Sequence, residues 1–126
     1  MSGTDLLLDT NVVIGLLKGN APAVALAETA HLSLDRAAVS QITRMELLGF
    51  PSLTEEEEHE IRAFLSCCRV CLLDEHIEAE AIRLRRKGGL KLPDAIIAAT
   101  ALVNGYRLLT LDGGLLDGLQ KLGYPH

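Results

Sequence analysis

The stretch Leu6-Leu7-Leu8-Asp9-Thr10-Asn11 constrains this chain most. An apolar run stops at a carboxylate and two small polar residues, and Val12-Val13-Ile14-Gly15-Leu16-Leu17 follows. Residues apolar at consecutive positions suit a strand covered on both faces, as in a parallel sheet. The segment after Asn11 predicts a helix to about Lys18, stopped by Gly19-Asn20. In open α/β sheets ligands bind outside the carboxyl ends of the strands, where Asp9 would stand. Function then turns on which other acids reach the same edge.

The same alternation continues along the chain. Ala21 to Thr29 is predicted as a short helix with Pro22 in its first turn. Ala37 to Ser40 is predicted as a second strand, and Ser40 caps a helix through about Gly49. Ser52 or Thr54 opens the next helix, to about Ser66, with Glu55 to Glu58 suiting its dipole. Arg69 to Leu73 is a predicted strand, Glu75 to Lys87 a helix ended by Gly88-Gly89, and Pro93 begins a helix to about Asn104-Gly105. Tyr106 to Leu111 is the fourth strand, with a last helix near Leu115 to Leu122. Strands alternating with helices imply a parallel sheet with helices on both faces.

At 126 residues the chain fits one domain, residues 1–126, with no internal repeat or low-complexity linker. Aromatic residues are only 3%, which argues against a single-strand binder built on base stacking. The net charge is −5, so any nucleic-acid contact must be local. Cys67, Cys68 and Cys71 are odd in number and closely spaced, which is no disulfide framework and points to a reducing cytoplasm. A zinc site joining them to His59 or His76 would lack a second ligand pair. His31, His59, His76 and His126 show no partner pattern for acid–base work. No basic start followed by an apolar stretch marks a signal peptide, and no uncharged apolar run nears the roughly 18 residues of a spanning helix.

Four acids stand in unusual places. Asp9 and Asp112 end the first and fourth predicted strands, and Asp94 lies in the first turn of an almost wholly apolar helix. Glu46 sits beside Ile42 on the helical wheel, at the edge of the face carrying Met45 and Gly49. Asp94 and Glu46 are therefore expected at the interior or its rim. Two like charges about 4 Å apart repel by roughly 4 kcal/mol at an effective dielectric near 20. A cluster of such acids needs a cation, and hard oxygen ligands select magnesium or manganese. That chemistry suits phosphodiester cleavage, because the cation activates water and neutralises developing charge. Each acid alone also fits a plainer role. Asp9 could cap a helix, Asp112 could open an Asp-Gly turn, Asp94 could serve a helix dipole, and Glu46 could lie on a solvated face.

Leu7-Leu8-Asp9-Thr10-Asn11, Ser40 to Gly49 with Glu46, Leu92-Pro93-Asp94-Ala95-Ile96-Ile97-Ala98-Ala99-Thr100-Ala101 and Leu109-Thr110-Leu111-Asp112 resemble the successive motifs of the PIN domain. Their spacing is similar to that of the VapC-type toxins of toxin–antitoxin pairs. The resemblance implies a three-layer α/β/α sandwich with a mainly parallel sheet of four to five strands. It also implies a Mg2+- or Mn2+-dependent endoribonuclease that acts on RNA, forms a homodimer and is inhibited by a cognate antitoxin. By motif match Asp9, Glu46, Asp94 and Asp112 are the metal-binding and catalytic acids, with Asn11 and Thr110 as supporting polar residues. The family often carries a further acid three residues after the fourth, and Leu115 stands there in this chain, with Asp117 out of register. That departure motivates a second reading, a PIN-like module that binds RNA or protein without cutting.

Arg83, Arg85, Arg86, Lys87 and Lys91 gather just before Asp94. Arg85, Arg86, Lys87 and Lys91 could grip an RNA backbone beside the acids. The alternative is a solvated helix end whose cations suit the C-terminal dipole.

Overall fold

A computed structural model describes residues 3–124. His126, expected to lack a catalytic partner, lies outside them. Four strands form one sheet, β1 (Leu6–Leu8), β2 (Ala37–Ser40), β3 (Arg69–Cys71) and β4 (Arg107–Leu109). Every neighbouring pair is parallel, in the order β3-β2-β1-β4. Seven helices connect and flank them: α1 (Thr10–Leu17), α2 (Ala21–Thr29), α3 (Gln41–Leu48), α4 (Glu55–Ser66), α5 (Glu75–Gly88), α6 (Leu92–Asn104) and α7 (Gly113–Lys121).

The unbroken apolar run of β1 has the cause its sequence implies, since both faces of the strand are covered. Leu7, with Ala38 and Leu108, packs into a layer built from Ile77, Ala81 and Leu84 of α5, Ala95 and Ala98 of α6, and Leu115 and Leu119 of α7. Leu6 and Leu8, with Val39 and Leu109, point the other way, onto Val12 and Val13 of α1, Leu47 of α3, and Ile61 and Leu65 of α4. Each buried Leu contributes roughly 1.5–3 kcal/mol by leaving water. The helices begin where their caps predict. Ser40 accepts from the Ile42 amide, and Thr54 with Glu57 forms a reciprocal capping box.

The chain builds outward from β1 through β2 to β3, then returns to place β4 on the opposite side of β1. That reversal opens a crevice between the carboxyl ends of β1 and β4. α1, α3 and α7 all begin at this edge, immediately after their strands. α6 begins there too, because its far end must deliver the chain to the start of β4. Gly105, in the left-handed region at φ 70°, makes that turn, and the Tyr106 amide closes on the Ala101 carbonyl.

Three details depart from the sequence expectations. Leu34–Arg36 forms a 3-10 turn ahead of β2, in a stretch for which the sequence predicts no element. The last helix begins at Gly113, because Asp112 caps it by accepting from the Leu115 amide at 3.1 Å. α3 buries Thr43 and Leu47, not the Met45 side, and Met45 is 60% exposed. An eight-residue helix with Ile42, Met45, Leu47 and Leu48 spread around it has no single apolar stripe, so packing sets its rotation.

Candidate active site

Asp9 is the most constrained of the four acids. It follows β1, caps α1 and is 5% exposed. Its Oδ1 accepts from the Thr10 amide at 2.7 Å, and its Oδ2 accepts from the Thr110 hydroxyl at 2.6 Å. Both the plain role as a helix cap and the placement at a strand end therefore hold at once. Burial pushes the Asp9 carboxyl above its ordinary value, the Thr110, Thr10 and Asn11 hydrogen bonds oppose this, and the charge of Asp112 adds to it.

Thr110 joins β1 to the turn after β4. Its hydroxyl donates to Asp9 and accepts from the Asp112 amide at 3.0 Å. Asn11 spans the same gap, with Nδ2 donating to Thr110 Oγ1 at 3.4 Å and Oδ1 accepting from the Leu111 amide at 3.1 Å. Asn11 and Thr110 thus clasp the two strand ends that carry Asp9 and Asp112.

Asp94 occupies the first turn of α6, after Lys91 at the cap position. The small residues Ala95, Ala98 and Ala99 are buried and let this helix approach the sheet. Burial raises the Asp94 carboxyl first, and the charges of Asp9, Asp112 and Glu46 raise it further, while Lys91 lowers it. Glu46 is exposed on α3, and its Oε1 accepts from the Thr10 hydroxyl at 2.8 Å. Four segments far apart in sequence thus bring four carboxylates within electrostatic reach of one another.

None of the four acids takes part in an ion pair among the described residues. Among those residues, no three His, Cys, Asp or Glu side chains converge closely enough to hold a metal ion as placed. The donor set itself is all carboxylate oxygen, which fits a hard divalent cation.

Other sequence candidates separate. Arg83 is engaged by Glu80 and lies 5.0 Å from the centre of the Tyr124 ring, while Arg85, Arg86, Lys87 and Lys91 are exposed. Gly89, Leu90 and Lys91 connect α5 to α6, so Lys87 lies within about 14 Å of Lys91. Cys71 packs in the layer beneath α5 and α6, whereas Cys68 packs in the opposite layer. Burial pushes the Cys68 thiol up to about 11. Leu115 is 3% exposed in the core, so an acid there would be buried. A cavity of about 290 Å³ between α1, α3 and α4 is lined by Ile14, Leu17, Leu47, Phe50, Leu53 and Ile61 with Lys18, Glu57 and Glu60, and none of the four acids lines it.

Sequence reasoning passed over Thr10 and Thr43. The signal was faint, since a Thr in the first turn of a helix is ordinary and a buried Thr within an amphipathic one more so.

The family model of the PIN domain matches residues 6–118. The chain belongs to the PIN domain family. This PIN domain is 36% identical over 110 residues to Ribonuclease VapC19 of Mycobacterium tuberculosis, a match covering 82% of this chain and 86% of that protein. Among solved structures, a toxin–antitoxin complex from Klebsiella pneumoniae superposes with a TM-score of 0.74 at 32% identity, covering 86% of this PIN domain and 87% of the matched chain. FitAcB from Neisseria gonorrhoeae superposes with a TM-score of 0.75 at 27% identity, covering 91% and 93%.

Proposed function

We propose that this PIN domain is a Mg2+- or Mn2+-dependent endoribonuclease and the toxin of a toxin–antitoxin pair, working as a single-domain homodimer in a reducing cytoplasm. The observation that carries this reading is the placement of four carboxylates from four separate segments at the switch point of a parallel sheet, Asp9 and Asp112 capping α1 and α7, Asp94 in the first turn of α6 and Glu46 bonded to Thr10. Asp94 is raised by burial first and then by the charges of the other three. The name of the curated relative and the complexes among the structural neighbours support it.

Asp9, Glu46, Asp94 and Asp112 would hold the cation. When bound, it supplies an activated water and charge neutralisation at the scissile phosphate. The chain's own contribution is preorganisation. The Thr10 amide and the Thr110 hydroxyl fix the Asp9 carboxylate, so little reorientation is needed during reaction. Asn11 keeps the turn after β4 at a set distance from α1. Arg85, Arg86, Lys87 and Lys91 would take the RNA backbone alongside the acids, screening substrate phosphates from a chain of net charge −5. Phe50, 61% exposed and lining the cavity, and Met45, 60% exposed on α3, offer surface for a cognate antitoxin. No single helix among the described residues is long and apolar enough to cross a membrane.

The test is Mn2+-stimulated cleavage of a single-stranded RNA by wild type and by Asp9→Asn. Asn keeps the cap on α1, so the variant should fold, and cleavage should fall by at least about a hundredfold. Cleavage at the wild-type rate in a folded Asp9→Asn protein would remove Asp9 from the chemistry. RNA bound without cleavage by the wild type itself would favour a binding module.

A further inference from the structure

Thr10, Thr43 and Glu46 form a hydrogen-bonded chain that lies outside the four-acid set. Thr10 Oγ1 is 2.8 Å from Glu46 Oε1 and 2.9 Å from Thr43 Oγ1. Thr43 is completely buried, Thr10 is half-buried, and Glu46 is exposed. The direction of the chain follows from proton counting. An ionised carboxylate only accepts, so the single Thr10 hydroxyl proton goes to Glu46. The Thr10 oxygen then has only lone pairs to offer Thr43, so Thr43 must be the donor between them. Thr43 therefore gives to Thr10, and Thr10 gives to Glu46. Accepting a bond makes Thr10 the stronger donor.

A buried Thr with a purely structural role can return its hydroxyl to its own helix, as Thr100 does to the Ile96 carbonyl at 2.7 Å. The Thr43 hydroxyl instead reaches across to α1, at the residue beside Asp9. Glu46 needs such a tether, because an exposed glutamate otherwise spreads over several rotamers. We propose that Thr43 is a positioning residue, which orients the Thr10 hydroxyl and through it holds the Glu46 carboxylate on the side of α3 that faces the other acids. The proposal rests on Glu46 belonging to the cation-binding set.

Mn2+ titrated calorimetrically into the folded chain, without RNA, tests it, with thermal melts as the check on folding. Thr43→Val keeps the shape and removes the hydroxyl. It should bind Mn2+ about three- to tenfold more weakly, as expected for the loss of one hydrogen bond a step removed from the ligand. Thr43→Ser, which restores the hydroxyl, should recover wild-type affinity. Should Thr43→Val not fold, Thr10→Val breaks the same chain at a half-buried position and should show the same loss. Wild-type affinity in the folded hydroxyl-less variant, alongside weakened binding by Glu46→Gln, overturns the role of Thr43 and leaves the site reading intact. Wild-type affinity in Glu46→Gln instead removes Glu46 from the set and the inference with it. Absence of Mn2+ uptake by the wild type overturns the metal reading first.

Discussion

Asp9 and Asp94 carry the energetic signature of the site, because each holds its proton more tightly than an ordinary carboxyl, chiefly through burial. The sign of the consequence follows from linkage. The folded state binds a proton that the unfolded chain has already released, in a window just above the ordinary carboxylate value. The acids therefore weaken the cation-free fold at neutral pH, and that penalty fades as pH falls through their raised titration. Asp5, held low by its hydrogen bond from Arg36, and Glu57, held low by its capping-box bonds with Thr54, act oppositely and lose stability as pH falls. The difference between two proteins isolates the site. In chelator, Asp94→Asn should melt higher than wild type at pH 7, and the gap should close as pH is lowered. A variant that melts lower than wild type at pH 7 would contradict the placement of Asp94 among like charges.

At the scale of elements, the position of α1 decides the site, since that helix carries Thr10 and Asn11 and is capped by Asp9. Gly15 sets how closely α2 can approach α1. A Cβ built there would lie 2.5 Å from the Ala23 Cβ, closer than two carbons can stand. Helix propensity alone favours alanine over glycine by about 1 kcal/mol. Overpacking costs about 1–3 kcal/mol and acts against it. Gly15→Ala should therefore destabilise by about 1 kcal/mol, read from the denaturant midpoint. A midpoint at or above that of wild type would mean that α2 yields freely and that the close approach carries no energy. A small residue is required here by a neighbour, not by the backbone angle.

On the scale of the whole molecule, a net-negative chain keeps Lys91 within electrostatic reach of Asp94. Lys91 touches the balance directly by easing the charge on Asp94. Arg85, Arg86 and Lys87 fill the last turn of α5, where they also suit the helix dipole. If they meet RNA, each lost phosphate contact should lower the slope of log affinity against log salt by about 0.7. The paired variant Arg86→Glu, Lys87→Glu should therefore bind a non-cleavable RNA more weakly at low salt, with a shallower salt dependence. An unchanged slope would leave these residues with the dipole alone.

The sequence by itself determined the layer order and the parallel sheet. An apolar run such as Leu6-Leu7-Leu8 can be stable only if covered twice, and the caps at Ser40 and Thr54 are local hydrogen-bond chemistry. It also determined which acids were out of place, since Asp94 interrupts an apolar helix. Only the tertiary structure decided which face of α3 is buried, because short helices with scattered apolar residues take their rotation from their neighbours. It alone separated Cys68 from Cys71, which lie on opposite faces of one sheet, and withdrew Arg83 from the basic run. The Thr43–Thr10–Glu46 chain was equally out of reach, because its members are 33 and 36 residues apart from Thr10 and hydrogen bonds over such separations leave no local pattern.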